Sequence, residues 1–460
     1  MIDIALLAGY AVVLTCAVVA RGGVYPFDWA VCAGALAGLT MVSEFGRSAA
    51  IPPLGRPLGV ALVSLFVLVL LQAIPLPLAL IGVLSPARAE IVRATAPIAG
   101  QARFAAVSNV PNETLQALSQ LGGFILTVVI VRRLAAAFKG RPWIAALPLI
   151  LIALFEAVLG LIQTAIPLDG SSVSRGTYAN RNHYAGLLEL ALPLVVALVT
   201  YRLSADRESS ADRFYLVGCS LLVTATTILA AILLSFSRMG FVAALFGLAT
   251  AAVAALGGRL SRRARWIWSG AMAGTVALAF VLLPTTLWLS RFAELAGGSI
   301  SGDTRVRIWH DTVRLAGAYP LTGCGARAFQ SSFYAWQTVP GTETINFAHC
   351  DYLQALAELG IPGFVLVIMV VVFTVACCIK AAGAAASCVE RFLAAGCLGS
   401  LAAILVHSLV DFNMYVPVNA MAAASVLGIA QALAASAGTR ERVHFLPPKR
   451  GTESPVAAAG

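Results

Sequence analysis

Charged residues are scarce in this chain. They make up 11% of its 460 residues, against about 25% in an ordinary soluble domain. A soluble protein already exposes a surface that is roughly half apolar, so it has little room for more. Here the apolar set without glycine reaches 60% and mean hydropathy is +0.89. These values exclude a soluble enzyme, a disordered chain and a secreted disulfide scaffold, and they leave a polytopic membrane protein. Some site chemistries lack their residues too. The nine cysteines contain no C-x-x-C pair, so no thiolate zinc or redox site is expected, and there is no H-E-x-x-H. Most cysteines (Cys16, Cys32, Cys219, Cys377, Cys378, Cys388 and Cys397) sit in or beside apolar runs as small hydrophobes. The net charge of +10 does not gather into a basic stripe. Topology and anionic headgroups account for the arginines, so no nucleic-acid partner is expected. Asp3 and the lack of a positive lead-in make 4–20 a retained first span rather than a cleaved signal.

A helix crosses the hydrocarbon with about 20 apolar residues. Runs at or near that length lie at 4–20, 30–42, 60–74, 114–131, 143–166, 183–201, 215–235, 239–256, 267–288, 361–382, 392–410 and 415–436. They predict an all-α fold of about twelve transmembrane helices. Lys and Arg recur in alternate links: Arg132, Arg133, Lys139 and Arg141; Arg202, Arg207 and Arg213; Arg259, Arg262, Arg263 and Arg265; and the tail with Arg440, Arg442, Lys449 and Arg450. Basic short loops stay in the cytoplasm, so both termini are expected there. The polar stretch 437–460 is expected to be disordered. One link is long: 289–360 lies on the external side, opens with a helical pattern and passes through Pro320, Gly323, Gly325, Pro340 and Gly341. Long loops in compact proteins are usually functional. No internal repeat is found, which weighs against transporters built from inverted halves.

His183, His310, His349 and His407 all fall on the external side or at its boundary. Polar groups near the hydrocarbon are costly and mark sites or pathways, so one wet, external site is expected. Tyr178, Asn180, Arg181, Asn182 and His183 lead into the sixth span, where a helix N-terminus favours an anion; an ordinary N-cap is the alternative. Arg238, between Ser237 and Met239, joins two spans with almost no loop; it either snorkels or points into a cavity. Arg305 and Arg307 open an interfacial helical pattern with Trp309, and guanidinium groups suit a diphosphate. His349, with Asp351, Tyr352 and Leu353, reads as the start of a helix, and its imidazole can take a proton near neutral pH. His407 and Asp411 stand four apart, which would place them on one helix face. Cys324 and Cys350 are the two cysteines of the long loop, and a disulfide between them is open.

Taken in order, these fragments resemble the bacterial O-antigen ligase family, which includes polysaccharide polymerases and protein O-oligosaccharyltransferases. The resemblance is carried by Asn-Arg-Asn-His-Tyr at 180–184, Ser-Arg at 237–238 and Arg-Val-Arg-Ile-Trp at 305–309, then by Pro-Leu-Thr-Gly-Cys-Gly at 320–325 and His-Cys-Asp-Tyr-Leu-Gln at 349–354. It runs from about 150 to 430. It divides the chain into N-terminal spans (1–142), a ligase-like region (143–436) holding the loop 289–360, and the tail (437–460). The resemblance implies a GT-C-like membrane glycosyltransferase on the periplasmic face of the bacterial inner membrane. Its donor would be a glycan on undecaprenyl diphosphate and its acceptor a sugar hydroxyl, of lipid A–core in a ligase or of a growing glycan in a polymerase. By position, Arg238 and Arg305 would bind the diphosphate and His349 would activate the acceptor. The segment 180–183, with Tyr178, Arg307, Asp351, Tyr352, His407 and Asp411, would line the same cavity. Cys350 and Thr304 stand where Asn and Gly are common. Arginines in place of a metal would stabilise the leaving diphosphate, so no cofactor is expected, and direct attack would invert the anomeric centre. A polysaccharide transporter or flippase is the non-enzymatic alternative; it would need polar groups through the bilayer depth.

Overall fold

The computed structural model describes residues 2–45, 54–138, 140–167, 173–204, 211–256, 302–338, 344–385 and 387–444. The chain begins with α1 (Ile2–Val19), α2 (Pro26–Phe45) and α3 (Arg56–Ala73). A small hairpin follows: strand β1 (Pro75–Pro77), helices α4 (Leu78–Leu84) and α5 (Pro86–Ala99), and strand β2 (Phe104–Ala106). Then come α6 (Pro111–Ala137), α7 (Leu147–Ala165), α8 (Arg181–Ser204), α9 (Ala211–Leu234) and α10 (Arg238–Leu256). The described chain resumes with α11 (Gly302–Ala318) and α12 (Phe329–Phe333), and ends with α13 (Asp351–Gly383), α14 (Cys388–His407) and α15 (Pro417–His444). Eleven of the described helices are long and apolar enough to cross a membrane. The chain is an all-α multi-pass membrane protein. The expected span at 267–288 lies outside the described residues, as do positions 445–460 of the tail; α15 itself continues to His444.

Apolar side chains such as Phe27, Val60, Leu216 and Ile379 point outward from the spans, where lipid takes the place of a protein neighbour. By contrast, α8 and α15 are buried along most of their length. Packing between lipid-immersed helices relies on close backbone approach at small residues. An added Cβ on Gly247 of α10 would lie 2.6 Å from the carbonyl oxygen of Gly399 on α14, so these two helices touch through their backbones. Polar ties add to this. The His407 Nδ1 lies 3.0 Å from the Glu189 carboxylate, linking α14 to α8 with both groups fully buried.

Successive spans run in opposite directions. The C-terminal ends of α3, α7, α9 and α14 therefore share one face with the N-terminal ends of α6, α8, α10, α13 and α15. An extramembrane body covers this face, with a core of Ile308, Leu315, Tyr319, Phe329, Phe333 and Ile345. The hairpin after α3 belongs to it: β1 pairs antiparallel with β2, Pro75 opposite Ala106 and Pro77 opposite Phe104. Just beyond β2, Asn109 donates from its backbone to the Cys324 carbonyl at 2.9 Å and from Nδ2 to Ser332 Oγ at 2.8 Å. Nothing in the sequence reading gave 75–110 this role.

The tenth span was expected at 361–382, but its helix starts at Asp351 and bends at Gly360, which has φ 65°. A bend strips carbonyls of their helical partners, and those groups need others. The 320–325 motif supplies them. Cys324 N–H donates to the Ala357 carbonyl at 2.9 Å and Gly325 N–H to that of Glu358 at 3.1 Å. Ile361 N–H returns to the Pro320 carbonyl at 2.8 Å. Gln72, at the end of α3, donates from Nε2 to both the Glu358 and the Thr322 carbonyls. The motif is thus a clamp on the bend, and Cys324 and Cys350 are free thiols rather than a disulfide.

Candidate active site

The loop before α8 is held from below. Glu156 of α7 accepts from the Thr177 backbone N–H at 2.9 Å and from its hydroxyl at 3.0 Å. Asn180 Oδ1 accepts from the Asn182 N–H at 2.8 Å, an N-cap arrangement that starts the helix at Arg181. With the turn fixed in this way, Asn182 Nδ2 donates to Asp411 Oδ2 at 2.8 Å, and His183 Nε2 lies 3.4 Å from Asp411 Oδ1. Asp411 is 1% exposed. Burial alone would raise its carboxyl pKa. The His183 imidazole, the charge of His407 and the Phe412 N–H outweigh it, and the group is held below the ordinary carboxylate range.

His349 approaches this pair from a third segment. Its ring meets the Phe412 ring edge-on at 5.1 Å, and His183 meets the same ring at 4.5 Å. Phe347 stacks on Phe412 at 4.1 Å. The sequence reading made His349 the first residue of a helix. Instead it precedes the helix, with φ 51°, and Cys350 is the N-cap in an extended conformation. A left-handed conformation is costly for a residue with a Cβ, and such residues concentrate at functional positions. Trp309 of α11 donates from Nε1 to the His349 carbonyl at 3.4 Å, which brings the N-terminal turn of α11, with Arg305, to the imidazole. Burial first, then the charges of Arg305 and His183, lower the His349 pKa to about 4, against the opposing pull of Asp411. The imidazole is neutral at physiological pH. Its Nδ1 and the Arg305 Nε are buried without a hydrogen-bond partner among the described residues.

Arg238 is exposed at the first position of α10, and its charge acts on Arg181 at the first position of α8. Arg307 is exposed on α11, and His310 points outward beside Asp311 at 3.3 Å. Four residues expected to line the cavity take internal partners instead. Tyr178 donates to Asn419 Oδ1 at 3.0 Å and Tyr352 to the Leu405 carbonyl at 2.8 Å. Asp351 accepts from Ser408 Oγ at 2.6 Å and from the Met414 N–H at 3.2 Å. His407 and Asp411 do not share a helix face, because α14 ends at His407; the first turns to Glu189 and the second to α8. The sequence reading missed Glu156, Glu189 and Glu358. Lone carboxylates inside apolar runs were the available signal. Behind the layer that carries His349 and Asp411 lies an apolar cavity of about 290 Å³ between α3, α6, α13, α14 and α15, reached by Asp351, Ser408 and Tyr415.

The family comparison bears on the same residues. Residues 222–368 match the family model described as O-antigen ligase. This third of the chain is similar to the O-antigen ligase family. The matched stretch holds Arg238, Arg305 and His349, whereas Asn182, His183 and Asp411 lie outside it. The O-antigen ligase match thus covers the α10, α11 and α13 side of the site, and α8 and the α14–α15 link complete it from beyond the matched residues. No curated protein matches the chain.

Proposed function

We propose that this chain acts as an O-antigen ligase-type enzyme, transferring a glycan from undecaprenyl diphosphate to a sugar hydroxyl on the periplasmic face of the inner membrane. The observation that carries the reading is the meeting, on one membrane face, of a neutral imidazole and several guanidinium groups from distant segments. His349 feels the charge of Arg305, while Arg181 and Arg238 stand together at two helix N-termini. Helix N-termini and guanidinium groups both favour a diphosphate. In the step itself, the acceptor oxygen attacks the anomeric carbon as the bond to the diphosphate oxygen breaks. The departing charge falls to Arg238 and Arg305, and His349 takes the acceptor proton. Attack from the face opposite the leaving group inverts the anomeric centre. Asp411 holds Asn182 and His183 beside the imidazole. Lipid A–core or a growing lipid-linked glycan would serve as acceptor by the same chemistry.

Purified full-length protein in vesicles with a lipid-linked glycan tests this. His349→Ala should lower transfer by about 10²–10⁴-fold, the ordinary contribution of a general base, with donor binding largely kept. Arg238→Ala and Arg305→Ala should each weaken donor use, and Lys should rescue poorly because it is a point charge without the guanidinium fork. Near-normal turnover in His349→Ala would remove that residue from the mechanism.

A further inference from the structure

The hairpin between α3 and α6 carries an apolar surface that nothing among the described residues covers. All seven residues of α4 (Leu-Ala-Leu-Ile-Gly-Val-Leu) lack a polar side chain, yet only Ile81 among them is buried. Val83 is 74% exposed, Ile98 of α5 is 94% exposed and Phe104 of β2 is 60% exposed; Leu80 and Ile91 are exposed as well. Water does not favour so many large apolar groups on one small element, and such a patch marks an interaction surface. Where the chain leaves the bilayer decides the partner. Helix α3 ends at Ala73, β1 begins two residues later, and α6 re-enters at Pro111. The ladder that places Phe104 opposite Pro77 ties the far arm of the hairpin to the strand that follows α3 directly. Arg93 and Arg103 are exposed on this hairpin, suited to anionic headgroups.

We propose that residues 75–106 form an interfacial anchor that seats on the lipid surface through Leu80, Val83, Ile91, Ile98 and Phe104. The anchor is fixed to the body that carries the site. Ala87 and Val110 pack on the core that contains Ile308 and Leu315 of α11, and Asn109 bonds to Tyr319 and Ser332. Seating the hairpin therefore sets the height of α11, and of Arg305 at its N-terminal end, above the headgroups. An amphipathic element lying in the plane of the interface has this effect without spanning it.

A fluorescent amino acid incorporated at Val83 or at Ile98 of the full-length chain, in nanodiscs, tests the anchor. Ile98 is so exposed that replacing it disturbs no internal contact. Both probes should be quenched by phospholipids brominated on the acyl chain and shielded several-fold from aqueous iodide, relative to the same probe at Tyr334, which is 82% exposed on the α12 side. Iodide quenching equal to that at Tyr334 without bromolipid quenching would place the hairpin in water and overturn the proposal. Shielding from both quenchers would mean that protein covers the patch, and would overturn it equally.

Discussion

His349 owes its chemistry to the charges around it, and those charges can be tested one by one. In the proposed mechanism its neutral form accepts the acceptor proton, and its pKa lies near 4. The kcat/KM profile should therefore be flat through neutral pH and fall as pH drops through about 4. A bound diphosphate adds negative charge beside Arg305 and raises the imidazole pKa, so the acid limb of kcat should lie at higher pH than that of kcat/KM. Asp411→Asn removes a charge that raises the His349 pKa and should move the kcat/KM limb to lower pH; Arg305→Gln should move it upward. A limb that stays put in both variants would mean that another group titrates. His349, Arg238 and Arg305 could be put forward as candidates from the sequence because each sits in a short motif of unusual residues. The tie from Asp411 to His183 was not, since the i, i+4 spacing with His407 suggests a shared helix and only the structure reveals that α14 stops first.

Among the elements, α13 is the one whose shape depends most on a second segment. Gly360 takes φ 65° and Gly323 also takes φ 65°; Gly360 faces the backbone of 320–323, and Gly323 faces that of Glu358 and Leu359. A Cβ on Gly360 would lie 2.7 Å from the Gly323 nitrogen, and a Cβ on Gly323 would collide with the Glu358 carbonyl. A left-handed conformation costs a residue with a Cβ about 1–2 kcal/mol, and the collision adds to this. Gly360→Ala and Gly323→Ala should each lower the midpoint of thermal unfolding. Gly38→Ala in α2, where an added Cβ meets nothing within 4 Å, should leave it unchanged or raise it, because alanine favours a helix over glycine by about 1 kcal/mol. Equal shifts in all three variants would mean that the clamp contributes nothing. Spans were legible as elements because lipid demands long apolar runs. The 75–106 hairpin was not: α4 is too short and too uniformly apolar to show a period, and β1, Pro-Leu-Pro, gives no strand alternation.

At the scale of the whole molecule, the site exists because every segment that builds it returns to one face of the bilayer. Arg181 and Arg238 begin α8 and α10, His349 precedes α13, and Asp411 joins α14 to α15. The face follows from counting crossings. From α8 to α10 the described chain crosses three times and ends at Leu256 on the face away from the site, and it resumes in α11 on the site face. Residues 256 and 302 therefore lie on opposite sides. The face away from the site receives the ends of α6 and α8, with Arg132, Arg133, Arg141 and Arg202 near them. Basic residues in such short links favour the cytoplasm, and the proposed reading puts the site on the opposite, periplasmic side. Two single-cysteine substitutions at exposed positions, Leu203→Cys at the end of α8 and Tyr334→Cys after α12, separate the two sides in a background whose native thiols are silenced. A membrane-impermeant maleimide added to intact cells should label position 334 at once and position 203 only after the membrane is broken. Labelling of both before lysis, or of neither, would break the alternation on which the shared site depends. The reverse order would keep the site together and turn it to the cytoplasm, where a donor delivered from the periplasm could not reach it.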